Sequence, residues 1–236
     1  MERLQKIITN NTINKKRIPK YIIRAYIRKH PYNYYEIGFI YRYYYINFKK
    51  MIEYYIKSDN TKAMIRLADY YYNKTNDELM KKYYNMAIEL GDLEAMYRLG
   101  NYYAYIEKNN ELMNKYYNMA IKLGDTIAMI HVGDYYAYDK KYDIMCKYYN
   151  MSMEMGNIIA MVKLGNHYGF NEKNKLMKKY YNMAIELGNL DALIYLGCYY
   201  WYKTKIYLMY KYYMMAIKYN IFKGIKKLVL YYKLSK

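Results

Sequence analysis

The amino-acid sequence predicts an all-α chain, an α-solenoid of stacked antiparallel helix pairs, and three observations carry that prediction. The first is a fixed period. The segments KKYYNMAIELG, NKYYNMAIKLG, CKYYNMSMEMG, KKYYNMAIELG and YKYYMMAIKYN end at Gly91, Gly124, Gly156, Gly188 and Asn220, in steps of 33, 32, 32 and 32 residues. A period of this size marks a repeat architecture. The second is that each period holds two helical patterns. Ala95, Leu99 and Tyr103 recur at i, i+4 and i+8, while Met113, Tyr117, Ala120 and Ile121 trace a second helix that stops at Gly124. The third is that the two prolines, Pro19 and Pro31, precede the repeats, so no proline interrupts a helix after Pro31.

Taken in order, residues 1–32 read as a basic segment with a short helix over Lys20–Lys29, bounded by Pro19 and Pro31. Residues 33–59 read as a degenerate capping pair, in which YYEIGFIYRYY echoes a first helix and KKMIEYYIKSD a second. Residues 60–220 hold five full repeats, with first helices AMIRLADYY, AMYRLGNYY, AMIHVGDYY, AMVKLGNHY and ALIYLGCYY. One helix pair cannot bury its apolar face alone, so the pairs must stack, and the small residues at Ala95, Gly100 and Ala120 let them approach closely. Residues 221–236 read as a lone basic helix that caps the stack. Two methionine columns, Met80, Met113, Met145, Met177, Met209 and Met86, Met119, Met151, Met183, Met215, read as core filler. In each YY doublet adjacent side chains stand about 100° apart, so one tyrosine is expected inside and the other at the rim.

The residues Leu99, Gly100 and Tyr103, followed by Tyr116, Tyr117, Ala120 and Gly124, resemble the Sel1-like repeat, a relative of the tetratricopeptide repeat. The resemblance covers about Lys50 to Tyr232, with one departure: the usual glycine-rich loop between the helices is cut to a few residues such as IEKNN. The Tyr- and Asn-rich style resembles Sel1-like proteins of giant DNA viruses of amoebae. What this resemblance implies is a right-handed solenoid that performs no reaction, needs no cofactor, and acts as a scaffold or adaptor for a protein or peptide partner. The partner is a host protein if the viral likeness holds.

Charge and composition bound the alternatives. The net charge is +19, with residues 1–50 carrying 12 basic and 2 acidic residues and residues 203–236 carrying 9 lysines and no acid. Residues 51–202 balance 18 basic against 18 acidic residues. A solenoid wrapping RNA along its length should carry a basic stripe through every repeat, and this neutrality argues against one. Nucleic acid or an acidic membrane is therefore expected only at the basic ends, 1–50 and 203–236, as the alternative function of a tether. The start, MERLQKIITNNTINKKR, lacks a signal-peptide core, and the longest uncharged apolar run, Ala192–Tyr202, is too short to span a bilayer. Cys146 and Cys198 have no motif spacing, which points to a reduced, intracellular protein, in the host cytoplasm if viral. His30, His131 and His167 show no ligand spacing, and no metal, phosphate-loop or catalytic constellation is expected.

In Sel1-like folds the first helix of each pair lines the concave surface, so the resemblance directs attention to its outer face. Three columns result: Ile65, Tyr97, Ile130, Val162 and Ile194; then Asp69, Asn101, Asp134, Asn166 and Cys198; then Asn73, Tyr105, Tyr138, Phe170 and Tyr202. The expected partner-binding residues are Tyr97, Asn101, Tyr105, Ile130, Asp134, Tyr138, Val162, Asn166, Phe170, Ile194 and Tyr202. Asn side chains can hold a peptide backbone while Tyr and Ile form pockets. These columns lack the Lys or Arg of a carboxylate clamp, which disfavours a ligand with an acidic C-terminus. The neighbouring column, Arg66, Arg98, His131, Lys163 and Tyr195, can instead pair with the Asn/Asp column at i, i+3 and leave the face merely solvated.

Overall fold

The computed structural model describes residues 20–219. Residues 1–19 and 220–236, on which most of the basic N-terminal segment and the expected C-terminal capping helix fall, lie outside the described residues. The described residues form thirteen helices and no strand, packed as adjacent antiparallel pairs. A short helix, α1 (Lys20–Lys29), comes first. The pairs follow in chain order: α2 (Tyr34–Tyr43) and α3 (Phe48–Lys57), α4 (Thr61–Tyr72) and α5 (Asp77–Glu89), α6 (Leu93–Tyr105) and α7 (Asn110–Lys122). Then come α8 (Thr126–Tyr138) and α9 (Tyr142–Glu154), α10 (Ile158–Phe170) and α11 (Asn174–Glu186), α12 (Asp191–Tyr202) and α13 (Ile206–Lys218). The chain divides into two compact units, Met1–Tyr116 and Tyr117–Lys236, with the division falling inside α7.

Local chemistry sets the helix ends. Four first helices start on a side-chain cap: Asn60, Asp92, Asp125 and Asn157 accept from the amides of Lys62, Ala95, Ile127 and Ile159 at 2.8–3.0 Å. Second helices stop at Gly91, Gly124, Gly156 and Gly188, whose φ of +81 to +90° is the left-handed turn that glycine adopts without penalty. The shortened loop inside each of the five pairs from α4 to α13 turns through one non-glycine residue in the same region: Thr75, Lys108, Lys140, Glu172 and Thr204, with φ of +53 to +58°. Second-helix caps differ between the units. Asn76 and Asn109 accept from Leu79 and Leu112 at 3.0 Å, whereas Lys141, Lys173 and Lys205 occupy the cap of α9, α11 and α13 and make no capping hydrogen bond.

The core follows the columns with two corrections. Met80, Met113, Met145, Met177 and Met209 are all buried, but Met86, Met119, Met151 and Met183 are half-buried and Met215 is exposed, so only the first column is core. The second correction concerns the YY doublets of α5, α7 and α11, where both tyrosines are buried, not one. The first of each doublet stacks on a tyrosine of the preceding helix: Tyr83 on Tyr71, Tyr116 on Tyr103, Tyr148 on Tyr136, Tyr180 on Tyr168 and Tyr212 on Tyr200. Centroids lie 5.5–6.1 Å apart and the planes are within 10° of parallel. The second rests on the small column: a Cβ added at Gly133, Gly165 or Gly197 would stand 2.2–2.7 Å from the ring of Tyr149, Tyr181 or Tyr213. In these three helices the doublet has no rim position because a second helix is covered by the next pair as well as by its own partner, whereas Tyr148 of α9 and Tyr212 of α13 are half-buried. Tyr181, for example, sits over Gly165 and stacks on Tyr195 of α12 at 5.8 Å.

Candidate functional site

The three columns have different fates. Ile65, Ile130 and Ile194 are buried, and Ile130 and Ile194 belong to core clusters of the second unit. Their side chains hold the stack together and offer a partner nothing. Val162 is half-buried against a core cluster, and Tyr97 is half-buried.

The Asn/Asp column is engaged from within the protein. In the first unit Tyr84 Oη donates to Asp69 Oδ1 at 2.8 Å, and Arg98 Nη1 donates to the same oxygen at 3.1 Å. In the second unit Tyr149 Oη donates to Asp134 at 2.5 Å while Lys163 Nζ reaches both its oxygens at 2.7 and 2.8 Å. Tyr181 Oη donates to Asn166 at 2.5 Å, and Tyr213 Oη to Cys198 Sγ at 3.3 Å. The basic column therefore pairs with the acid of the preceding repeat. The in-helix alternative is weak: Arg66 stands 3.8 Å from Asp69. Burial pushes the Tyr84, Tyr181 and Tyr213 hydroxyls far above the ordinary phenol range, and the acceptors of Tyr84 and Tyr213 push these two further.

The third column is open. Tyr105 is exposed, and Tyr138, Phe170 and Tyr202 are 80, 89 and 81% exposed, at the ends of α8, α10 and α12. Large, highly exposed aromatic side chains thus recur at one position of three successive pairs.

Below this column the chain forms two equivalent clefts. In the first unit a cleft of about 250 Å³ lies among α4, α5 and α6, with Asp69, Tyr72, Arg98, Asn101 and Tyr105 on its wall. In the second unit a cleft of about 480 Å³ lies among α10, α11 and α12, with Asn166, Gly169, Tyr195, Cys198 and Tyr202 at the same positions, 97 residues on. Four of the expected residues meet at these walls in the two clefts, Asn101 and Tyr105 in one and Asn166 and Tyr202 in the other; Phe170 joins the second. Met177 and Tyr181 also line the second cleft, Tyr199 forms another wall, and Glu172 and Lys203, 3.2 Å apart, stand at its mouth.

The larger volume has a cause in the sequence. Gly169 stands where Tyr72 narrows the first cleft, and an uncharged Tyr195 and Cys198 replace Arg98 and Asn101. Reading columns for agreement passed over Gly169, although a glycine amid Tyr72, Ala104, Ala137 and Trp201 is a visible signal of space.

Several solved structures are similar to the chain. A Sel1 repeat protein from Oxalobacter formigenes is 21% identical with a TM-score of 0.55, over 78% of this chain and 86% of that one. The fold is a Sel1-like repeat solenoid. The antigen c5321 of uropathogenic Escherichia coli, which displays the same repeat fold, is 17% identical with a TM-score of 0.54, over 97% of this chain and 56% of that one. The C-terminal part of a tetratricopeptide-repeat protein from Cytophaga hutchinsonii is 18% identical with a TM-score of 0.51, over 95% and 98%. No protein-family model matches the chain, and no curated protein matches it. Among the described residues no helix is long and apolar enough to cross a membrane.

Proposed function

We propose that the protein is a non-enzymatic scaffold that seats a segment of a partner protein in the cleft among α10, α11 and α12. The observation that carries this reading is the cleft itself: about 480 Å³ of largely apolar space, opened by Gly169 and flanked by the exposed rings of Phe170 and Tyr202. A cleft of this size, lined by aromatic side chains with few polar groups, suits a bulky side chain of a peptide. The only titratable groups on its wall besides tyrosines are Cys198 and the Glu172–Lys203 pair at the mouth, an arrangement without a nucleophile–base couple. Repeat solenoids offer extended binding surfaces of this kind.

Selection of binding peptides from a displayed random library on the full chain tests the reading. Gly169→Tyr, which copies Tyr72, should fill the cleft, and Phe170→Ala should remove one wall. Each is expected to weaken the selected peptides about tenfold, roughly 1.4 kcal/mol. Peptides that bind both variants as well as the parent would place the binding surface elsewhere.

A further inference from the structure

The loops of the second unit share a feature that the fold does not need. Each exposed ring is followed three residues later by a lysine at the N-cap of the next helix: Tyr138 by Lys141, Phe170 by Lys173, Tyr202 by Lys205. Local stability opposes a lysine there. The position calls for a side-chain acceptor, which Asn76 and Asn109 supply in the first unit, and the positive end of the helix dipole repels an ammonium group. Three successive pairs thus give up a cap in exchange for a positive charge, which Asp139 neutralises at Lys141 (2.7 Å) but which Lys173 and Lys205 keep outside any ion pair among the described residues. Departures from local consistency of this kind gather at functional positions.

The surroundings strengthen the charge. Residues 166–179 hold four lysines and one acid, Glu172, and residues 192–219 hold four more lysines and no acid. Lys173, Lys175, Lys179 and Lys205 are exposed, and none of the four is in an ion pair among the described residues. Around the equivalent cleft of the first unit, residues 69–82 balance Asp69, Asp77 and Glu78 against Lys74, Lys81 and Lys82. The twin clefts share a shape and differ in electrostatics.

We infer that the segment seated among α10, α11 and α12 carries one large apolar or aromatic side chain flanked by acidic residues. This rests on the scaffold reading above. The side chain enters the cleft against Tyr199 and Met177, and the flanking carboxylates meet Lys173 and Lys205 on the two loops that border its mouth. The lysines stand beside the groove columns, not on them, so the column reading that disfavoured a ligand with an acidic C-terminus did not include them. A peptide fits better than a single-stranded nucleic acid, whose bases need flat platforms and free hydrogen-bonding edges. The cleft is concave, and its one amide acceptor, Asn166 Oδ1, already takes the Tyr181 hydroxyl.

Fluorescence anisotropy on the full chain tests this with four labelled probes. They are a tryptophan between glutamate triplets, the same peptide with alanine for tryptophan, a tryptophan between lysine triplets, and an oligothymidylate. The first should bind at least about tenfold tighter than each of the others, and its affinity should fall as salt is raised. The double variant Lys173→Asn/Lys205→Asn should weaken it about tenfold. Because asparagine restores two caps, the same variant should raise the thermal midpoint by about 2–4 °C per cap. Affinity and stability moving in opposite directions is a result that a purely structural role for these lysines cannot give. Equal or tighter binding of the lysine-flanked peptide or of oligothymidylate overturns the inference, as does unchanged affinity in the double variant. Cleft-dependent binding that ignores flank charge sinks the inference and leaves the scaffold reading standing; binding that ignores Gly169→Tyr sinks both.

Discussion

The Gly197–Tyr213 contact shows how a single residue sets the helix spacing. A Cβ at Gly197 would meet Tyr213 Cε1 at 2.2 Å, inside any tolerable contact, and Tyr213 is fully buried with its hydroxyl held by Cys198. The ring cannot swing aside without breaking that hydrogen bond and leaving the core of α12 and α13, to which Met209 and Ala216 also belong. Gly197→Ala is therefore an overpacking substitution and is expected to cost about 1–3 kcal/mol. Urea denaturation reads it directly, and a midpoint equal to that of the parent would mean the pair can open at no cost. The same contact marks the limit of sequence reading at this scale. That the column must be small was visible from Gly100, Gly133, Gly165 and Gly197. That its tenant is the second tyrosine of the doublet was not, because periodicity within one helix says nothing about which side chain of another helix comes to rest on it.

At the scale of the helix pair, one unit of three groups recurs: an acceptor on the first helix, a tyrosine hydroxyl from the second, and a base from the next repeat. Asp134, Tyr149 and Lys163 are its most complete example. The degenerate pair at the start shows the unit with a part missing. Gly38 still seats Tyr55, with the ring 2.5 Å from a Cβ placed there, but the next residue, in the acceptor's place, is Phe39, and the buried Tyr55 hydroxyl finds no acceptor among the described residues. Asp134→Ala should leave Tyr149 in that condition and also strip Lys163 of its partner, at a cost of about 1–3 kcal/mol. Asp134→Asn, which reproduces Asn166 and keeps the tyrosine bond, should cost less than half of that. Equal losses in the two variants, measured by chemical denaturation, would assign the stabilisation to the ion pair and not to the tyrosine. The helices and their pairing were legible because a period of 32 or 33 residues fixes them. The groove was legible only in part. Helical phase alone cannot separate Ile130 and Ile194, which the adjoining pairs bury, from Phe170 and Tyr202, which lie past the end of those contacts. The lysine edge was hidden by summation, since residues 51–202 are neutral in total although the acids and bases occupy different places.

For the molecule as a whole, the 42 tyrosines make pH a global variable. The hydroxyls of Tyr84, Tyr181 and Tyr213 are raised by burial above the value they take in an unfolded chain, about 10. A raised folded-state value means that the stability these groups contribute is fully present below the unfolded value and is lost as pH climbs from there toward the folded one. Tyr181 and Tyr213 occupy successive repeats and stacked repeats unfold with their neighbours, so ionising one removes a contact on which the other depends. Alkaline unfolding should therefore begin above about pH 10 and be steeper than a single-site titration. The tyrosinate absorbance of the buried set should rise together with the loss of helical circular dichroism. If all the tyrosines titrate smoothly around their ordinary value while the helical signal stays intact, the doublets are not the cement of the stack, and its cohesion must come from the methionine and alanine columns alone.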